Sequence, residues 1–424
     1  MRLIVAVLCL FAFTASAQQK EIKIGFIYDL TGPFAGGGSE PAQIGTRAAV
    51  DYFNEKGGVA GYRINAIFAD AQSKVDVAIN EMTRLLDQER VDLVAGVYSS
   101  AQCVPMVQQI DSRKKFLWLN VCIATAVFKD KKLNYVFRPQ AHSDQFGASS
   151  CDYVHHYAKS KFGSEPKNVR VAIIYEDGPY GAGVAAGNEA QCRKHGMNIV
   201  LKEGYSATAP DLSPLVTKLK RARPDVLLHT GYNPDITLFL RQSKEQGFKV
   251  KAMIGHGAGH SQIDKLRQTF GDDVNYFHSI DPAAAQLLEP KTLKPGVWDL
   301  TQEMVKRYEK VKGPGELPPH TSMGFNNTWI LLNDILPRAI KKYGGYDAES
   351  LRKAAMETDI PVGGTLQGYG VKFYPPGHQL AGQNERAFPI VMQYVNGRAR
   401  IAWPREIQTT DPVLPFPKGH AFAN

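Results

Sequence analysis

The chain is 424 residues long and carries 50 Lys+Arg against 41 Asp+Glu, a formal net charge of +9. That length allows about two to three domains with sizeable cores. The basic residues are scattered instead of gathered in one arm or helix, which excludes nucleic acid as a partner and leaves a mild attraction for anionic solutes.

Residues 1–17, MRLIVAVLCLFAFTASA, hold one Arg, an apolar run from Leu3 to Phe13 and the small-x-small pattern Ala15-Ser16-Ala17. This is the pattern of a cleaved signal peptide, and the run is shorter than the ~20 residues that a membrane span needs. A periplasmic protein starting near Gln18 is expected.

From Glu21 onward EIKIGFIY, RINAIFAD, VDLVAGVY and FLWLNVC read as strands, alternating with the helices PAQIGTRAAVDYFNEKG, VDVAINEMTRLLDQE and AQCVPMVQQIDSRK. After a short strand, NYVFRP, the rhythm restarts. VRVAIIYED, MNIVLKEGY, PDVLLHTGY and KAMIGHG are strands, separated by the helices GAGVAAGNEAQCRKHG, LSPLVTKLKRARP and PDITLFLRQSKEQG. Near-continuous apolar strands between amphipathic helices indicate an α/β fold with two doubly wound parallel-sheet lobes. Further helices, Pro-rich loops and a hairpin turning at Asn396-Gly397 complete the chain.

Beyond the signal peptide the cysteines are Cys103, Cys122, Cys151 and Cys192. An even number in an exported chain favours disulfides, and the spacings match no CxxC motif. Cys103 and Cys122 follow two successive strands, and Cys151 and Cys192 lie on two successive helices. Pairing in that order is expected, with four buried thiols as the alternative.

Ligands of open α/β sheets bind outside the carboxyl ends of the strands. Two such lobes facing each other bring YDLTGPF, VYSSAQC, VCIATA, EDGPYG, TGYNPD and GHGAGH around one cleft. Ser99 and Ser100 precede a helix, and Ile123-Ala124-Thr125 precede AVFKD, read as another. Each edge offers free amides and a positive helix end, suited to a carboxylate, although simple N-capping would also explain it. Tyr98, Tyr180 and Tyr232 sit on three strand-end loops and offer flat apolar faces with a hydroxyl. His256 is a candidate pocket donor. Its i, i+4 partner His260 is separated from it by glycines that argue against a metal site. Gly36-Gly37-Gly38 lacks a nucleotide fingerprint, and neither G-x-S-x-G nor HExxH occurs. Neither an enzyme nor a cofactor is expected.

The stretches IGFIYDLTGPFAGGGSEPAQIGTRAAVDYFNEKGGVAGYRI, RPQAHSDQFG, VAIIYEDGPYGAGVA and HTGYNPDITLFLRQSKEQGF, with the Ser-Ser turn, resemble the exported solute-binding proteins of ABC importers of the leucine/isoleucine/valine-binding type. The resemblance implies two lobes joined by three crossovers, near residues 138–143, 274–282 and 360–368. The first lobe would comprise residues 18–139 and 282–364, and the second 140–281 and 365–424. It further implies that Ser100 and the backbone at Ile123 and Ala124 hold a carboxylate. Tyr98 and Tyr180 would flank the ligand, and Tyr232 would help to grip an amino group.

Two departures bear on the ligand. In the amino-acid binders an acidic residue neutralises the ligand ammonium, where this chain has Gly257; a buried ammonium without a counter-charge is costly. The region IDPAAAQLLEPKTLKPG and the tail resemble the branch that binds lignin-derived aromatic acids. A family cysteine is replaced at Ser99, so the family's disulfide does not transfer. The expectation is a monomeric receptor that delivers a small carboxylate, such as a benzoate or hydroxycinnamate, to an inner-membrane ABC permease. A branched-chain amino acid or short-chain amide binder is the alternative. An exported hydrolase built on Ser99 or Ser100 is a third, for which no His and carboxylate partners can be named.

Overall fold

The computed structural model describes residues 20–424; the expected signal peptide, residues 1–17, lies outside the described residues. The first apolar runs form β1 (Glu21–Tyr28), β2 (Arg63–Asp70), β3 (Leu93–Gly96), β4 (Leu117–Leu119) and β5 (Val136–Phe137). All pair in parallel in the order β2-β1-β3-β4-β5. Helices α1 (Ser39–Glu55), α2 (Val75–Asp87) and α3 (Ser100–Ser112) connect them. Each strand of the β1-β3-β4 centre is buried on both faces, which is why its sequence is apolar without alternation.

After β5 the chain enters α4 (Ser143–Tyr157), β6 (Arg170–Glu176), α5 (Pro179–Lys194), β7 (Asn198–Tyr205), α6 (Ser213–Ala222), β8 (Val226–Thr230), α7 (Asn233–Glu245), β9 (Ala252–His256), α8 (Gly257–His260), α9 (Ile263–Phe270) and β10 (His278–Asp281). It then returns to the first sheet with α10 (Val297–Lys312), α11 (Pro319–Ile330), a π turn, α12 (Leu336–Tyr343) and α13 (Ala348–Met356). The final hairpin, β11 (Ile390–Val395) and β12 (Arg398–Trp403), joins the second sheet, ordered β12-β11-β10-β9-β8-β6-β7. β11 runs antiparallel to β10, so this sheet is parallel with an antiparallel edge. Cys103 is bonded to Cys122, and Cys151 to Cys192.

The third crossover falls later than the expected 360–368. Phe373 meets Trp118 and Phe137 edge-on, with ring centroids 5.9 and 5.2 Å apart. The Arg138 amide donates to the Gly382 carbonyl at 3.0 Å, and the Asn384 amide donates to the Arg138 carbonyl at 3.0 Å. Residues 371–384 therefore line the β5 edge of the first sheet, although they were expected in the second lobe. Single bridges and aromatic contacts hold this stretch, and neither leaves a periodic pattern in the sequence.

Helices α1 and α11 cross through reciprocal glycines. A Cβ on Gly45 would lie 2.0 Å from the Thr321 carbonyl oxygen, and one on Gly324 would lie 2.0 Å from the Ala42 carbonyl oxygen. Gly45→Ala must push the two backbones apart, an overpacking cost of about 1–3 kcal/mol or more. The expected result is a clearly lower thermal unfolding midpoint, against no change for Gly315→Ala, where an added Cβ meets nothing within 4 Å. Equal midpoints for the two variants would refute this account of the helix crossing.

Candidate functional site

The site begins where β3 ends. Val97 adopts φ 63°, a left-handed conformation costly for a β-branched residue, and is fully buried. Its amide donates to the Ile27 carbonyl at 2.8 Å and its carbonyl accepts from the Cys122 amide at 3.1 Å. These bonds hold the turn that delivers Tyr98 and Ser99 to the edge of the sheet. Ser99 caps α3, accepting from the Ala101 amide at 3.3 Å, and its hydroxyl lies 3.4 Å from that of Tyr232.

Ser100 Oγ accepts from the amides of Ile123 at 3.3 Å and Ala124 at 3.1 Å. An oxygen that accepts twice is polarised and keeps its own proton for donation. The Cys103–Cys122 bridge ties α3 to this loop. Arg138, fully buried, supports it from behind. Its Nη1 donates to the carbonyls of Cys122 at 3.2 Å and Ala124 at 2.9 Å, and its Nε donates to Gln383 Oε1 at 2.6 Å. Nη2 has no partner, and burial pushes the guanidinium down to about 9. A buried positive charge thus sits behind a loop whose amides meet at one hydroxyl.

The two sheet edges face each other across a small, tightly lined cavity. Tyr98, Ser100 and Ile123 line it from the first lobe; Phe146, Tyr180, Tyr232 and Gly257 line it from the second. Tyr232 joins the lobes, with ring centroids 4.3 Å from Phe34, 6.3 Å from Tyr98 and 5.3 Å from Tyr180. The Tyr180 hydroxyl donates to the His256 carbonyl at 2.7 Å. Burial raises the phenol pKa of Tyr98, Tyr180 and Tyr232 well above the ordinary value, so all three stay neutral.

Two expected site residues, Thr125 and His256, make their hydrogen bonds elsewhere. Ile123-Ala124-Thr125 leads into a single 3₁₀ turn, Thr125–Val127, and provides no α-helix terminus. The Thr125 hydroxyl faces α4, within 3.0 Å of His142 Nδ1 and 2.7 Å of Asp144 Oδ1, and so spans the first crossover. His256 belongs to the interior of the second sheet. Its Nδ1 meets Thr230 at 2.9 Å, its Nε2 meets Ser150 at 3.3 Å, and burial holds its pKa down at about 4. Gly257 has φ 44°, and a Cβ there would lie 2.9 Å from the Tyr180 hydroxyl. A side chain at 257 would be strained and would meet a hydroxyl already in place. Among the described residues, neither Ser99 nor Ser100 is hydrogen-bonded to an imidazole or carboxylate.

Phe34, Phe146, Arg138, Asp281 and His320 join the site without having been expected there. Asp281 ends β10 and His320 lies in the first turn of α11, positions that the return crossover brings to the cavity.

A family described as periplasmic binding protein matches residues 21–390. Leu/Ile/Val-binding protein homolog 7 of Brucella suis is 32% identical over 401 residues, covering 95% of this chain and 96% of its own. The branched-chain amino acid transporter substrate-binding protein LivJ from Streptococcus pneumoniae, solved with isoleucine, superposes with a TM-score of 0.72 at 19% identity, covering 90% of this chain and 98% of its own. A solute-binding protein of an ABC transporter from R. palustris, solved with benzoate, gives 0.73 at 14% identity, covering 93% and 99%. The two solved structures support the likeness of fold.

Asp235 secures Tyr232 by accepting from its amide at 2.9 Å, and from the Tyr205 hydroxyl at 2.7 Å. Burial raises the Asp235 pKa from 3.8 to about 7. The folded state therefore binds this proton more tightly than the unfolded state. The associated stability is complete below the unfolded pKa and is lost as pH rises to about 7. Asp235→Asn keeps an acceptor without titrating. The melting temperature of the variant is expected to gain on the natural protein between pH 4 and 7 and run parallel above; parallel curves throughout would contradict the assignment.

Proposed function

The chain belongs to the periplasmic binding protein family, and from that premise we propose that this solute-binding component of an ABC importer captures a small aromatic carboxylate. The family is one of binding proteins, and its location is the periplasm. The single observation that carries the proposal is the anion edge: Ser100 Oγ, fed by the amides of Ile123 and Ala124 and backed by buried Arg138. The Ser100 proton donates to the ligand carboxylate. Phe146, Tyr180 and Tyr232 supply flat apolar walls for a ring.

Closure follows from differential contact. The first lobe binds the anion, and the second lobe adds Tyr180 and Tyr232, so the ligand favours the closed arrangement over the open one. The receptor then works as a monomer that presents its solute to a membrane permease, with the lobes divided at the three crossovers.

A branched-chain amino acid is the second reading. It is favoured by Asp281, a carboxylate on the cavity wall that can face an ammonium, and by the names of the Brucella relatives. Against it stands Gly257, where the acidic residue of the amino-acid binders is absent.

A thermal-shift panel separates the two readings. Benzoate, 4-hydroxybenzoate and p-coumarate are expected to raise the melting temperature at micromolar concentration, and leucine and isoleucine to leave it unchanged. Ser100→Ala is expected to weaken the aromatic acids about 10- to 100-fold, the loss of one charge-assisted hydrogen bond of about 1.5–3 kcal/mol. Stabilisation by leucine alone would reverse the assignment.

A further inference from the structure

Two polar groups on the cavity wall have no use in anion capture. Asp281 is 1% exposed and His320 3% exposed, and both line the same cavity as Ser100. His320 Nε2 lies 3.3 Å from Asp281 Oδ2, inside ion-pair distance. The approach does not make a hydrogen bond, and both Asp281 Oδ2 and His320 Nδ1 are left without a partner. A buried carboxylate oxygen and an imidazole nitrogen unsatisfied at the wall of an apolar cavity are costly unless the occupant completes them.

We propose that Asp281 and His320 form a subsite that reads a hydroxyl group on the ring of the bound carboxylate. The inference rests on the aromatic-acid reading above and adds the ring substituent to it. A hydroxyl donates to Asp281 Oδ2. Its oxygen can also accept from His320 when the imidazole carries its proton on Nδ1. An unsubstituted ring edge would leave both groups desolvated and unpaired. A site built to bond a hydroxyl rejects the analogue that lacks it more strongly than an apolar pocket rejects a change in size. The two residues come from the end of β10 and the start of α11, on either side of the second crossover. The hydroxyl therefore bridges segments of the hinge.

Titration calorimetry on the full mature chain tests this with benzoate, 3-hydroxybenzoate, 4-hydroxybenzoate and leucine. The expected result is that one hydroxybenzoate binds on the order of 100-fold more tightly than benzoate, and that Asp281→Leu collapses this ratio to near unity. If that variant does not fold, Asp281→Asn is expected to reduce the ratio about tenfold while retaining the native circular dichroism. Equal binding of the three aromatic acids by the natural protein would overturn the subsite and leave the aromatic-acid reading standing. A ratio unchanged in both variants would overturn it too. Binding of leucine with no binding of any aromatic acid would overturn both.

Discussion

A guanidinium with no carboxylate partner, enclosed by protein, organises the centre of this molecule. Arg138 is fully buried, and its bonds run to neutral acceptors: the carbonyls of Cys122 and Ala124 and the side chain of Gln383. Burying a charge in this way is expensive unless dipoles or a counter-ion oppose it. The carbonyls supply dipoles, and the Cys122 carbonyl, once fixed, aims the Ile123 amide of the same peptide unit at Ser100. One residue thus couples the first crossover, the late segment around Gln383 and the anion edge.

The two sheets were legible because their strands are runs of apolar residues between helices with one apolar face, as in EIKIGFIY and VDVAINEMTRLLDQE. The strand-end rule then placed Tyr98, Ser100, Tyr180 and Tyr232 around one cleft, since that inference needs only the order of elements. What escaped depends on side-chain direction or on distant returns of the chain. His256 and Gly257 are adjacent, yet the imidazole points into the second sheet while Gly257 lines the cavity. Thr125 resembles a cap in the sequence, but the helix it would cap is a single 3₁₀ turn. Asp281 and His320 lie 39 positions apart in the numbering, on elements that meet through tertiary packing. The displaced third crossover has the same origin: Phe373 reaches Trp118 by one aromatic contact in an irregular stretch.

The lobes meet through an aromatic cluster more than through ion pairs. Phe34 and Tyr98 come from the first lobe, Tyr180 and Tyr232 from the second, and Tyr232 touches all the others. Dispersion and apolar burial are short-ranged, so such a contact is nearly all-or-none with lobe separation. Polar positioning is kept behind the rings, where Asp235 fixes the Tyr232 backbone and the His256 carbonyl fixes the Tyr180 hydroxyl. Rigid rings on fixed mounts favour two discrete lobe arrangements over a continuum, as hinge closure requires.

The bridge between Cys103 and Cys122 makes the firmness of one loop depend on redox conditions. It fastens the start of α3 to the loop that carries the anion edge. In a reducing compartment those sulfurs would be thiols, and the loop would rest on hydrogen bonds alone, among them those with Arg138, Val97 and Ser143. Oxidation adds a covalent tie between the helix and a loop otherwise held by weak bonds.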